Sequence, residues 1–335
     1  MKIRGIEFGS VFMAAGARNF DGKGYWFHPL LHLFTVRDPF KGSTLVTKTT
    51  TWNARLNPAS GEGNMPMKDD GITPAERFPR CVYVTPKSWL RGEILNAVGL
   101  SGPGAVPLVM SGRWKTFTKP FVISFMAVGK TRPDRILEWA CFVKLLKENA
   151  DSFMAPFAVE INVSCPNVGL DARHLIEEVW KMLSLGACLK IPFIVNINLL
   201  ISPETATQIA LHPDCDAISQ SNSIPWGTFP ERIPWKELFG SDESPLVKRG
   251  LSPGGYSGPR ALPILRDWIR AARQTDLQKP LIVGGGIQTK ADLIEVLELG
   301  KPLVKGVKFG ILPMVRPWRV QPMIRKANAW FAAYS

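Results

Sequence analysis

The chain has 335 residues, 45% of them hydrophobic and 21% charged, with a mean hydropathy of +0.02. Such a composition can bury a large core and excludes a disordered or fibrous chain. Forty-one Lys and Arg against 28 Asp and Glu leave a net charge of +13, which favours anionic ligands. The basic residues are scattered without a dense run, which argues against a dedicated nucleic-acid face.

In chain order, Met1 leads into a strand-like segment with charges at Arg4 and Glu7, so no signal peptide is expected, and no apolar run reaches transmembrane length. Strand patterns follow at 11–15, 44–48, 121–126, 157–163, 193–198, 217–221, 281–284 and 304–309. Between them lie helical patterns. Residues 133–150 place Ile136, Ala140, Val143 and Leu146 on one stripe, and 171–185 do the same with Leu175, Val179 and Met182. Further helices are expected from about Pro203, Ala261 and Lys290. Ser202 before Pro203 reads as N-cap and N1, and Thr289 with Asp292 as a cap. Strands alternating with helices over this length predict a (β/α)8 TIM barrel, with a doubly wound sheet as the runner-up. Residues 1–335 are read as one domain with irregular insertions at about 53–90 and 225–252, expected as long loops or lids over the C-terminal face of the strands. The last segment, from 314, reads as a closing barrel helix.

The stretch 159–167 delivers polar chemistry to a strand end. Its apolar alternation gives way to Asn162, Ser164, Cys165, Pro166 and Asn167, which offer donors, acceptors and a proton carrier where barrel enzymes keep reactive groups. Three glycine clusters, Gly254-Gly255 with Gly258, Gly284-Gly285-Gly286, and Gly310 after Phe309, supply bends with accessible amides beside helix starts. They predict a phosphate-bearing cofactor. The five cysteines, Cys81, Cys141, Cys165, Cys188 and Cys215, form no CxxC pair. No zinc or iron–sulfur site and no other metal is expected, and reduced thiols in a cytoplasmic protein are the simplest reading.

Six ordered motifs carry a family resemblance: Thr47-Lys48-Thr49, Leu95-Asn96-Ala97-Val98-Gly99-Leu100 followed by Gly102-Pro103-Gly104, 162–167, Ser221-Asn222-Ser223, 254–258 and 284–287. Through them the chain resembles the dihydroorotate dehydrogenases, flavin-mononucleotide (FMN) barrel enzymes, and among these the soluble class with a cysteine base. The resemblance implies oxidation of dihydroorotate to orotate in pyrimidine biosynthesis. Cys165 would act as general base, with Lys48 between cofactor and substrate and hydride passing to the flavin N5. It further implies that Asn96, Gly99, Leu100, Asn162, Asn167, Asn222, Ser223 and Lys48 bind substrate. Ala15, Gly16, Lys48, Ser124, Asn162, Asn196, Gly255, Gly285, Gly286 and Gly310 would hold FMN. A homodimer and a small diffusible electron acceptor are implied as partners, with no nucleic acid.

One position departs from the family pattern. Strand five ordinarily ends in a lysine facing the flavin, and here that position is Asn196, so another cation, a lower flavin potential or another substrate is expected. Two alternatives follow from this. One is a related flavin oxidoreductase acting on another cyclic amide or enone, or on RNA as the dihydrouridine synthases do; the other is a non-catalytic flavin-binding partner.

Overall fold

The computed structural model describes residues 1–33, 38–57, 62–163 and 172–334. Eight parallel strands lie at or within the expected ranges: β1 (Val11–Met13), β2 (Thr44–Leu45), β3 (Phe121–Phe125), β4 (Phe157–Asn162), β5 (Phe193–Ile197), β6 (Ala217–Gln220), β7 (Leu281–Val283) and β8 (Val304–Phe309). They pair in the order β2-β1-β8-β7-β6-β5-β4-β3. Parallel bridges from Val46 to Val122 and from Thr50 to Phe125 join the two edges and close the barrel. Closure leaves the sheet without an open edge, and this is the (β/α)8 arrangement.

Helices α1 (Arg132–Asn149), α2 (Ala172–Gly186), α3 (Pro203–Ala210), α4 (Ala261–Ala272), α5 (Lys290–Leu299) and α6 (Val320–Tyr334) accompany the strands. Their starts follow local chemistry. Thr131 and Asp134 form a capping box at α1, Ser202 caps α3 ahead of Pro203, and Thr289 and Asp292 form a second box at α5. The buried face of α1 is centred on Trp139, Phe142, Val143 and Leu146, slightly rotated from the expected stripe; Ile136 and Ala140 are only partly buried. The larger aromatic surfaces win the core because they remove more apolar area from water. Helix α6 closes the barrel with Val320, Met323, Ile324, Ala327, Trp330 and Phe331 buried.

Alternation along the strands divides each one between two cores. Ile123, Val159, Val195 and Ile218 pack outward beneath the helices. Phe12, Val46, Val122, Ala158, Ile194, Ala217 and Ile282 fill the barrel's own interior, which Ile3 and Phe8 plug from below. Gly306 shares that layer because a Cβ there would lie 3.1 Å from the Phe12 ring. Two residues further along the same strands, the inward positions turn polar: Ser124, Glu160, Asn196, Ser219 and Lys308, all buried. A side-chain period of two makes this change abrupt.

The insertions are more ordered than the expected loops. Val82–Tyr83, Ile94–Asn96, Ile224–Pro225 and Gly255–Ser257 form a four-stranded antiparallel sheet over the barrel mouth. Residues 254–258, expected as a bend, therefore include a strand, with Gly255 opposite Asn96. Strands this short are stabilised only by long-range pairing.

Trp139 anchors α1: it is fully buried, its indole N–H donates to the Met182 carbonyl at 2.7 Å, and its ring lies 5.6 Å from Phe125 and 6.1 Å from Phe193. Trp139→Ala is expected to cost about 3–5 kcal/mol, measured by urea denaturation. A loss below about 1 kcal/mol would show that this contact does not hold the helix to the barrel.

Candidate functional site

A cleft of about 1770 Å³ opens over the C-terminal ends of the strands. Residues at or just beyond seven of the eight strand ends reach it, from Ala14, Lys48, Met126, Asn162, Ser221, Gly284 and Lys308 onward. Strand β5 is the exception.

The cleft wall after β7 and β8 is shaped by glycine. Gly286 has φ +75° and a Cβ there would lie 2.5 Å from the Leu262 amide nitrogen; Gly284 would meet the Lys308 carbonyl at 2.7 Å. At Gly285 and Gly310 a Cβ would meet only Ala261 at 3.8 Å or Ala14 at 3.7 Å, so those backbones face open space. The amide of Gly284 donates to the Gln220 carbonyl at 2.9 Å, whereas the amides of Gly285, Gly286 and Gly310 have no partner among the described residues. Unpaired N–H groups on a concave wall suit a phosphate. The dipole of α5 contributes less than expected, because the Asp292 carboxylate already accepts the Gln288 and Thr289 amides at 3.0 and 2.8 Å. Gly255 lies off the cleft wall, where it is packed so that a Cβ would meet the Ser223 Cβ at 2.6 Å.

Ala15 and Gly16, after β1, continue this wall beside β8, with Tyr25 donating its hydroxyl to the Gly16 carbonyl at 2.7 Å. Lys48 is buried beside them. Its ammonium lies 4.8 Å from the centre of the Phe20 ring and donates to the Ser101 carbonyl, without an ion pair among the described residues. Burial lowers its pKa to about 7, opposed only by the nearby Cys81 thiol. Cys81 is pushed up to about 11, and Cys215 up to about 12, chiefly by burial. Gly99 and Leu100, at φ +67° and +59°, face the same cleft. Arg55 donates to the Gly99 carbonyl at 3.0 Å, adding a second cation that no motif marked.

The amide set converges. Asn96 donates to the Ser223 hydroxyl at 3.4 Å and to the Gly255 carbonyl at 3.3 Å, and Ser223 meets Ser257 at 3.0 Å. Asn222 donates to the Asn162 Oδ1 at 3.4 Å and to the Ile197 carbonyl at 3.5 Å. With both amide hydrogens of each committed inward, Asn96 and Asn222 are left with acceptor oxygens, which have no partner among the described residues.

Ser124 and Asn196 do not line the cleft and lie in the polar layer inside the barrel. Asn196 Oδ1 accepts from Lys308 at 3.4 Å and from Ser221 at 3.1 Å. A cation therefore stands at this depth, delivered by β8 rather than β5. Lys308 also pairs with Glu160 and donates to Ser219 at 2.7 Å. Sequence reading passed over both charges, although Glu160 stands two residues before Asn162 and so must share its inward face. Cys165 and Asn167 lie outside the described residues.

A closed α/β barrel whose cleft lies over the C-terminal strand ends, lined by glycines after β7 and β8, a buried lysine and several asparagines, defines the class of TIM barrels with a ligand cleft at that face. The family signature described as dihydroorotate dehydrogenase matches residues 70–308. Similar proteins include dihydroorotate dehydrogenase A (fumarate) of Lactobacillus delbrueckii subsp. bulgaricus, 31% identical over 218 residues, which cover 63% of this chain and 64% of that one. The catalytic subunit of dihydroorotate dehydrogenase B (NAD(+)) of Listeria monocytogenes is 27% identical over 249 residues, 70% of this chain and 73% of that one. The match thus spans just under two thirds of the length of the Lactobacillus relative. The chain belongs to the dihydroorotate dehydrogenase family.

The Lys48 environment gives a pH signature. Below pH 7 the folded protein bears the full cost of a buried ammonium; between about 7 and 10.5 the folded state releases a proton that the unfolded state keeps, and the cost declines. Lys48→Met is expected to raise the stability of the ligand-free protein below pH 7, with the advantage shrinking steadily toward pH 10.5 in urea denaturation. An advantage constant across that window would exclude a depressed Lys48.

Proposed function

We propose that the protein is an FMN-dependent oxidoreductase acting on a CH–CH donor, oxidising dihydroorotate to orotate within one barrel unit of residues 1–335. The observation that carries this reading is the meeting, in one cleft of a family member, of glycine amides and a buried lysine that lack hydrogen-bonding or ionic partners, respectively, among the described residues, with acceptor-presenting asparagines.

The residues fit the cofactor. The amides of Gly285, Gly286 and Gly310 would bind its phosphate, and Ala15 and Gly16 give its ring a close backbone approach. FMN, when bound, supplies a two-electron hydride acceptor. The substrate carboxylate would sit against Lys48, supported by Gly99, Leu100 and Arg55, and the depressed Lys48 pKa means that carboxylate binding is coupled to proton uptake above pH 7. Asn96 and Asn222, whose oxygens face outward, would accept the ring N–H groups, with Ser223, Asn162 and Asn167 completing the substrate set. Cys165 would remove a proton from the carbon next to a ring carbonyl; an ordinary thiol pKa near 8.5 makes this step favoured as pH rises. A cytoplasmic homodimer that uses a small diffusible electron acceptor completes the proposal.

Three outcomes test it. The purified protein is expected to be yellow, and dihydroorotate is expected to bleach it under anaerobic conditions; if dihydroorotate leaves it yellow, while flavin first reduced with dithionite is reoxidised by another cyclic substrate, the reading moves to that substrate. Cys165→Ser is expected to cut turnover at neutral pH by about 100-fold or more and to shift the pH profile upward, in line with the usual scale of general-base removal. Full activity of that variant would take Cys165 out of the chemistry. Orotate affinity is expected to weaken as pH rises above 7, and Lys48→Met to flatten that dependence.

A further inference from the structure

The polar layer inside the barrel holds a closed circuit of hydrogen bonds whose direction can be read. Lys308 has three N–H groups, and they go to Glu160, Ser219 and Asn196 Oδ1. Glu160 accepts from Lys308 on one oxygen and from the Ser124 hydroxyl on the other at 3.1 Å. A carboxylate paired with an ammonium only accepts, so the Ser124 proton is committed to Glu160. The 3.0 Å contact between Thr49 and Ser124 must then have Thr49 as donor. Thr49 in turn accepts from Asn162 Nδ2 at 3.4 Å, and Asn162 Oδ1 accepts from Asn196 Nδ2 at 3.4 Å. Donation therefore runs from Lys308 through Asn196, Asn162, Thr49 and Ser124 to Glu160, with the charge pair as its source and its sink. Ser219 and Ser221 form a side branch in the same sense, since Ser219 lies 3.3 Å from Ser221 and Ser221 donates to Asn196 at 3.1 Å.

This polarity extends into the cleft. Because Asn162 Oδ1 is held toward Asn196, it can also accept from Asn222, and Asn222 thereby turns its own oxygen outward. A neutral circuit could run either way round, since hydroxyls and primary amides both donate and accept. Two fixed charges with exposures of 1% each remove that freedom.

We propose that Lys308 and Glu160 are positioning residues that set the direction of the Asn196, Asn162 and Asn222 amides, so that at Asn222 the site reads a ring carrying an N–H donor and rejects one presenting a lone pair there. The assignment of dihydroorotate as that ring rests on the function proposed above; the assignment of the circuit does not.

The test uses the protein as purified, with whatever cofactor it carries, and the paired variant Lys308→Met/Glu160→Met, since removing a buried pair together avoids stranding either charge. In asparagine-labelled ¹⁵N protein, the side-chain amide protons of Asn196 and Asn222 are expected to exchange up to about tenfold faster in the paired variant, the scale of one hydrogen bond. Unchanged protection in a protein that keeps its circular dichroism and the wild type's cofactor content would overturn the proposal. Thr49→Val, which cuts the circuit without touching a charge, guards against misfolding of the paired variant: it is expected to speed exchange at Asn196 by about threefold or more, and no change there would also overturn it. In binding, the preference for orotate over an analogue with oxygen in place of the ring N–H is expected to fall by about tenfold in the paired variant; an intact preference would count against the circuit. If the wild type does not bind orotate but its amides still respond to both variants, the circuit stands and the dihydroorotate reading falls.

Discussion

A charge pair buried at the floor of the cleft has few other partners, and the Lys308–Glu160 pair is the constraint on which the polar half of this structure depends. Both side chains are only 1% exposed, Lys308 at the floor of the cleft and Glu160 beneath it, so each meets its hydrogen-bonding needs chiefly within the layer. Lys308 does so across three strands, touching Glu160 of β4, Asn196 of β5 and Ser219 of β6 from its own place on β8. The layer below is apolar and packed, and the layer above opens into the cleft. The pair thus marks the boundary between the part of the barrel that holds the fold and the part that holds a ligand.

Lys48 occupies the opposite electrostatic situation. It is buried without an acid partner among the described residues, and its depressed pKa records what that burial costs. Stability alone would favour an apolar residue there, whereas a site awaiting a carboxylate has reason to keep an unpaired cation. The two lysines differ by their surroundings: Lys308 is held by a carboxylate, whereas Lys48 lines the cleft without an ion pair among the described residues.

How much of this was legible beforehand depended on range. The eight strands and the capped helices were readable because alternation and capping are local, carried by residues such as Val159 to Ile161 or Thr289 with Asp292. The order of the motifs was enough to indicate the family. The small antiparallel sheet over the mouth was not legible, because Ile94–Asn96 and Gly255–Ser257 are too short to carry a pattern and are ordered only by each other. The helix-end phosphate site at α5 was overestimated, since Asp292 answers both as a capping residue and as the anion that the helix end would otherwise attract.

The sequence by itself determined the barrel, the family and the candidate amides, because periodicity and motif order are properties of neighbours along the chain. It also showed that the expected lysine of strand five is absent. Only the tertiary structure decided where the charge went. Glu160 and Lys308 are 148 residues apart, and nothing local says that β4 and β8 aim them at the same point. Their meeting depends on barrel closure and register, which are fixed by the pairing of all eight strands at once, so the charge beneath the amide cluster is a property of the closed barrel.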